Sequence, residues 1–238
     1  MILAAGRGER MRPLTDTAPK ALMRVGGKPL IQWHVESLAR GGFRDIVINH
    51  AHLGSMIEAA LANGERFGVG IRYSPEAEAL ETAGAIAMAL PLLQAPAFLV
   101  VNCDIYCDYD FGTLHPAARA LGVDGAHALA HLVLVDNPPH HPHGDFSLDH
   151  DKVGAGAHKL TFSGIAVYRA ELFSGIVPGS KASVAPLLHR SIAAGKIRGE
   201  RFAGTWIDVG TAGRLVDANQ RHAARAAQLI SSGRNRTI

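Results

Sequence analysis

The chain has 238 residues, 47% hydrophobic and 19% charged, which suffices for the core of one large α/β domain and excludes a disordered chain. It contains no run of about 18 uncharged apolar residues and no basic segment leading into a long apolar one, so neither a membrane span nor a secretory leader is expected. Its net charge of +3 is unevenly placed: residues 1–28 hold six basic and two acidic groups, the other 210 hold 18 and 19, and charge gathered on one loop suits a small polyanion better than nucleic acid.

Residues 1–5 form a short apolar run that ends in a Gly-rich loop. Pro29 stands where a first helical turn begins; Leu30, Ile31, Val35 and Leu38 share one face, and Gly41-Gly42 ends the helix. Ile46-Val47-Ile48 reads as a buried strand, Met56, Ile57, Ala60 and Leu61 as a helix face, and residues 70–74 as a short strand. Residues 83–90 read as an Ala-rich helix stopped by Pro91, and residues 97–102 as another buried strand. This βαβαβαβ order, with strands apolar throughout, predicts a parallel sheet covered on both faces. After residue 104 the rhythm changes. Residues 128–135 and 160–168 read as strands, separated by a polar, Pro/His/Gly-rich loop over 136–158. A helix over 184–194, a short strand within 201–209 and a last helix over 211–229 complete the order, with no internal repeat.

The strongest local signal is Leu3-Ala4-Ala5-Gly6-Arg7-Gly8-Glu9-Arg10, followed by Pro13-Leu14-Thr15 and Pro19-Lys20. A Gly-rich turn after the first strand lets backbone N–H groups approach phosphate oxygens, and Arg10 and Lys20 add positive charge. The dinucleotide fingerprint fails, because Met11 stands where its third Gly belongs and Asn49-His50 close the second strand. A Walker loop is also absent. Asp104 and Asp208 each follow an apolar strand run, at the C-terminal strand ends where open α/β folds bind ligands. Two carboxylates converging there suit Mg²⁺, which takes one or two of them together with substrate phosphates.

Taken together, LAAGRGERMRPLT, Pro19-Lys20, GGKPLI, ETAGAI, VVNCD, TFSGIAVY and WIDVGT resemble, in order, the sugar-1-phosphate nucleotidyltransferases, with the likeness running from Ile2 to about Leu215. The resemblance implies a Rossmann-like three-layer α/β/α sandwich with a mostly parallel sheet, of the nucleotide-diphospho-sugar transferase type. It implies one domain, with a nucleotide-binding part over about 1–110, a sugar-binding part over about 111–210 and a C-terminal helix over about 211–230. Arg10 and Lys20 take the catalytic positions, Arg10 on the leaving β,γ-phosphates, and Asp104 and Asp208 the metal positions. Leu3, Ala4, Ala5, Gly6, Gly8, Glu76, Thr82, Gly84 and Asn102 fall on the nucleotide side. Gly144, Asp145, Ser163 and Gly164 fall on the sugar side. Glu76 is either an acceptor for a base N–H or a surface charge.

ETAGAI, VVNCD, the segment NPPHHPHGDF and a chain that stops soon after WIDVGT resemble one short subgroup, the uridylyltransferases that act on N-acetylmuramate α-1-phosphate in cell-wall recycling. A Glu-Lys pair usual upstream of the sugar-side strand is replaced by His158-Lys159, and Cys103 stands where a Gly is frequent. The family carries a few residues before the first strand, so an earlier start than Met1 is expected. The implied substrates are UTP and a sugar 1-phosphate, with Mg²⁺ as cofactor and no nucleic acid, membrane or obligate protein partner. The alternatives are another nucleotide and sugar pair, a non-catalytic regulatory subunit that binds sugar nucleotides, and a hydride-transferring Rossmann enzyme. Cys103 and Cys107 make no disulfide framework, which points to the cytoplasm. Trp33 and Trp206 are read as core, His50 and His52 as either sugar-facing or strand-ending, and Arg221, Arg225, Arg234 and Arg236 as a solvated helix face and tail.

Overall fold

The computed structural model describes residues 1–231; Arg234 and Arg236 lie outside the described residues. The first half holds β1 (Ile2–Leu3), α1 (Leu14–Thr17), β2 (Arg24–Val25), β3 (Lys28–Pro29), α2 (Leu30–Arg40), β4 (Asp45–His50), α3 (Gly54–Leu61), β5 (Gly70–Pro75), α4 (Glu81–Leu93) and β6 (Ala97–Asn102). The second holds β7 (Ile105–Cys107), α5 (His115–Gly122), β8 (Ala130–Val135), β9 (Phe146–Asp149), β10 (Lys152–Gly154), β11 (Lys159–Arg169), α6 (Ala185–Ala193), β12 (Ile197–Phe202), β13 (Trp206–Asp208) and α7 (Ala212–Ser231).

Nine strands form one sheet in the order β5-β4-β1-β6-β11-β8-β12-β10-β9. From β5 to β6 every pairing is parallel, as the βαβ rhythm predicts. The long β11 then runs antiparallel to β6 and β8, and β12 returns parallel to β8. The strands are apolar on both faces because each alternate residue feeds a separate core. Leu99, Val101, Ile165 and Val167 pack against Ile31, Val35 and Leu38 of α2 and Ile57 and Leu61 of α3. Phe98, Val100, Ala166 and Tyr168 pack against Ala83, Ile86 and Ala89 of α4 and Leu187 and Leu188 of α6. The result is three layers, helices over both faces of the sheet. A third small core, with Tyr106, Ile207, Val209 and Ala218, docks α7 on the β7–β13 ribbon.

Two expectations are corrected. α4 runs through Pro91 to Leu93, because a proline in the last turn forfeits only one hydrogen bond; Gln94, left-handed at φ 51°, ends the helix. The polar stretch 136–158 is not all loop. It includes the β9–β10 hairpin, whose only buried apolar anchors are Phe146 and Val153, too sparse a pattern to read as strands. Arg225 lies on the exposed face of α7, as read, and pairs there with Asp108 at the end of β7.

Candidate active site

The C-terminal ends of β1, β4 and β6 open onto a cleft of about 360 Å³ whose floor is Leu3 and Ala5. Gly8 turns the chain above it at φ 71°, and a Cβ there would stand 2.9 Å from Thr15 Cγ2 and 3.3 Å from Lys20 Cβ, so only glycine fits. The loop is pinned from behind: Thr15 Oγ1 donates to the Gly8 carbonyl at 2.9 Å, and Arg7 donates to the Thr15 carbonyl at 2.7 Å. Lys20 is brought in by a short 3₁₀ turn after Pro19 and is buried, with Nζ 2.5 Å from Asp104 Oδ2.

On the far side, Asn49 ties the cleft wall together. Its Oδ1 accepts from the Ala4 N–H at 3.0 Å, and its Nδ2 donates to Glu76 Oε1 at 2.7 Å. Glu76 Oε2 accepts from the Leu80 N–H at 2.9 Å. Glu76 is only 7% exposed, so it is no surface charge, and both its oxygens are engaged within the chain. Glu81, Thr82 and Lys181 form the rim. Gly84 does not line this cleft. A Cβ there would stand 2.2 Å from the Ser180 carbonyl oxygen, so the glycine serves the packing of the 180–182 segment on α4.

A second cleft of about 340 Å³ lies beside the first, and Asn102 and Asp104 line both. Asp208 enters it because β13 pairs antiparallel with β7, and the Val209 N–H donates to the Asp104 carbonyl at 2.8 Å. The two carboxylates thus sit on adjacent strand ends. Asp208 Oδ2 is 3.3 Å from Arg214 Nη2 and 3.5 Å from His140 Nε2. Burial and the nearby Arg214 charge hold the His140 imidazole below its ordinary pKa, against the pull of Asp208. Burial likewise raises the Cys103 thiol, which keeps it an inert wall residue.

Gly164 takes φ 78° in a bulge between Phe162 and Ile165, and a Cβ there would stand 2.6 Å from Asn102 Nδ2. The Ser163 hydroxyl is spent inside the strand, donating to the Val133 carbonyl at 2.7 Å. Gly144 and Asp145 stand behind the wall of the second cleft rather than in it. Gly144 closes a turn at φ 58° against Asn137, while Asp145 accepts from the Phe162 N–H at 2.8 Å and holds His141 Nε2 at 3.0 Å. His140 and His141, and not Gly144 or Asp145, face that cleft. Arg10 also lines the second cleft rather than the first, because the 3₁₀ turn Glu9–Met11 carries it past Gly8 towards Gly210.

Sequence reasoning did not single out Asn49, Lys181 and Arg214, and it took His140 and His141 only as part of the NPPHHPHGDF segment. The adjacent histidines carried no ligand spacing, and Arg214 gains meaning only once the first turn of α7 lies against Asp208. Trp206, read as core, lines the second cleft and donates from Nε1 to the Ser163 carbonyl at 3.0 Å; Trp33 packs edge-on against Tyr106. His50 and His52 face away from the sugar side, bonded to Glu58 and to the Thr15 carbonyl. No helix among the described residues is long and apolar enough to cross a membrane.

A family model for nucleotidyl transferases matches residues 1–155. The chain belongs to this family and is a nucleotidyltransferase. It is 54% identical over 223 residues to the N-acetylmuramate alpha-1-phosphate uridylyltransferase of Neisseria meningitidis serogroup B, covering 92% of this chain and 95% of that protein. A mannose-1-phosphate guanyltransferase of Yarrowia lipolytica is 44% identical over 117 residues, which is 48% of this chain but 32% of the fungal protein. Among solved structures, a Bacillus anthracis protein described as a glucose-1-phosphate thymidylyltransferase, in complex with sucrose, superposes with a TM-score of 0.80 at 22% identity, covering 100% of this chain and 95% of that one. HddC from Yersinia pseudotuberculosis, complexed with GMP-PN, superposes with a TM-score of 0.75 at 21% identity over 92% of this chain and 97% of that one. These likenesses carry the fold, a nucleotide-diphospho-sugar transferase sandwich.

Proposed function

We propose that the chain transfers UMP from UTP to N-acetylmuramate α-1-phosphate, giving a UDP-sugar and pyrophosphate, as a cytoplasmic step of cell-wall recycling. The observation that supports this best is that Asn102 and Asp104 line both clefts, so two ligands would meet at one carboxylate. The 54% identity to a uridylyltransferase acting on that sugar phosphate supports the choice of substrates.

UTP would lie in the first cleft, its phosphates against the backbone of Gly6 and Gly8 and its base towards the Glu76 end, over Leu3, Ala4 and Ala5. Thr82 would lie beside the base and Gly84 one turn behind it. The sugar phosphate would enter the second cleft past Ser163, Gly164, His140 and His141, with Gly144 and Asp145 supporting that wall. One oxygen of its phosphate attacks the α-phosphorus in line, the bond to the β,γ-pyrophosphate breaks, and pyrophosphate carries the electron pair away. A phosphate monoester is already ionised, so no general base is needed, and catalysis is positioning and charge neutralisation. Lys20 would donate to the α-phosphate and the attacking oxygen. Arg10 would neutralise phosphate oxygens arriving from the second cleft, rather than the leaving phosphates as the sequence suggested.

The donor set suits Mg²⁺. Asp104 and Asp208 offer hard oxygen ligands on adjacent strands, and no cluster of three or more His, Cys, Asp or Glu exists among the described residues to hold an ion without substrate. Held by these two residues, Mg²⁺ would supply charge neutralisation at the phosphates. The test is transfer of label from α-phosphate-labelled UTP. Label in a UDP-sugar formed from N-acetylmuramate 1-phosphate supports the reading, and label that remains in UTP overturns it. Transfer only from GTP to mannose 1-phosphate would favour the activity of the guanyltransferase relatives.

A further inference from the structure

Five described residues other than glycine take a positive φ, and of these only Glu81, at φ 60°, lines the nucleotide cleft. An ordinary side chain pays for that conformation, and such strain persists only where the surroundings impose it. They do so here on both sides. The Leu80 N–H is held by Glu76 Oε2 at 2.9 Å, and the Leu80 carbonyl accepts from the Ala182 N–H at 3.0 Å. The N–H groups of Ala83 and Gly84 both donate to the Ala182 carbonyl, at 2.9 and 3.1 Å. A glycine at position 81 would fit without cost, yet the chain places a carboxylate there.

That carboxylate is not consumed by the fold. Its nearest charge is Lys181 Nζ at 3.9 Å, a loose pair with side chains 47% and 66% exposed. By contrast, the side chains of Asn49 and Glu76 deeper in the cleft are already hydrogen-bonded within the chain. The cleft floor of Leu3, Ala5 and Ala79 is apolar and suits a flat base, and a base lying there would leave the sugar of the nucleotide near the rim.

We propose that Glu81 is the ribose-recognition residue of this enzyme, its carboxylate accepting from the 2′- and 3′-hydroxyls of the nucleotide while Lys181 braces it from the opposite side of the rim. The inference rests on the reading of this cleft as the nucleoside triphosphate site. A carboxylate accepting from a hydroxyl is a strong discriminator because it is charged and because the deoxy compound leaves it unpaired.

The test compares Glu81→Gly and Glu81→Gln with the unaltered enzyme, by calorimetric titration with UTP, 2′-deoxy-UTP and CTP and by thermal melting. The unaltered enzyme should bind UTP about 10- to 100-fold more tightly than 2′-deoxy-UTP. Glu81→Gly should erase that ratio by weakening UTP alone, and Glu81→Gln should reduce it. Glu81→Gly should also raise Tm by about 2–4 °C, since glycine relieves the left-handed strain. Lower affinity together with higher stability separates a ligand contact from a structural role. An unchanged UTP to 2′-deoxy-UTP ratio in both variants overturns the inference, as does a change confined to the preference for UTP over CTP. If the unaltered enzyme binds no UTP, the cleft reading itself fails and takes this inference with it, a result seen before any variant is compared.

Discussion

Lys20 Nζ and Asp104 Oδ2 stand 2.5 Å apart, a contact that joins the phosphate loop to the end of β6 across 84 residues of sequence. Lys20 is 8% exposed, so each group leaves the other badly placed if removed. Asp104→Ala should cut turnover by about 10²- to 10³-fold, the scale of losing one preorganised electrostatic group. It should also cost about 1–3 kcal/mol, because a buried ammonium loses its counter-charge. Steady-state kinetics and urea melts check both. Lys20→Ala should lower kcat more than it raises the KM for UTP; a pure KM effect would remove Lys20 from the transition state.

Glu76 offers a sharper choice between a base contact and a structural brace. Its two oxygens hold Asn49 and the Leu80 N–H, so Glu76→Ala strands two buried donors. The expected loss is about 2–3 kcal/mol, with a Tm lower by several degrees, even without nucleotide. A variant with unchanged Tm but weak UTP binding would make Glu76 a reader of the base instead.

Gly164→Ala should harm both stability and rate. The added methyl meets Asn102 Nδ2 at 2.6 Å and the backbone stays at φ 78°, a cost of about 1–3 kcal/mol. Because Asn102 lines both clefts, its displacement should also lower kcat. Unfolding curves and initial rates on the purified variant check this.

His34 of α2 gives a pH dependence. Burial lowers its pKa from 6.5 to about 4, against weaker opposing effects of the Ile105 main chain and Asp104. The folded state therefore binds fewer protons than the unfolded state between these values. Stability should be fully present above pH 6.5 and fall as pH drops towards 4, by a contribution of about 3 kcal/mol from this group. In His34→Phe the difference in unfolding free energy between pH 7 and pH 5 should shrink; an unchanged difference would mean that other groups carry the acid sensitivity.

The parallel half of the fold was legible because its inner strands are apolar on both faces, as with Ile46-Val47-Ile48, and α2 carries one apolar stripe of Leu30, Ile31, Val35 and Leu38. The β9–β10 hairpin was not, because its few apolar residues sit among Pro, His and Gly. In the site, residues whose chemistry is local could be read: Gly8, Lys20, Asp104 and Asp208 each follow a strand or fill a recognisable turn. Residues that act through partners distant in sequence could not. Asn49 matters because it bridges Ala4 and Glu76, Arg214 because α7 folds back on Asp208, and Gly84 because the 180–182 segment lies on it. Gly84 and Gly144, expected beside ligands, lie close against the chain itself, and nothing in a sequence distinguishes close approach to a ligand from close approach to the chain.

The central claim is that two ligands, UTP and an anionic amino-sugar 1-phosphate, meet at Asp104. Pyrophosphate release, measured with Mg²⁺ for four nucleoside triphosphates crossed with the 1-phosphates of N-acetylmuramate, N-acetylglucosamine, glucose and mannose, tests it most directly. Release confined to UTP with N-acetylmuramate 1-phosphate is the predicted result. Release with another pair alone would contradict the substrate assignment, and no release with any pair would contradict the catalytic account as a whole.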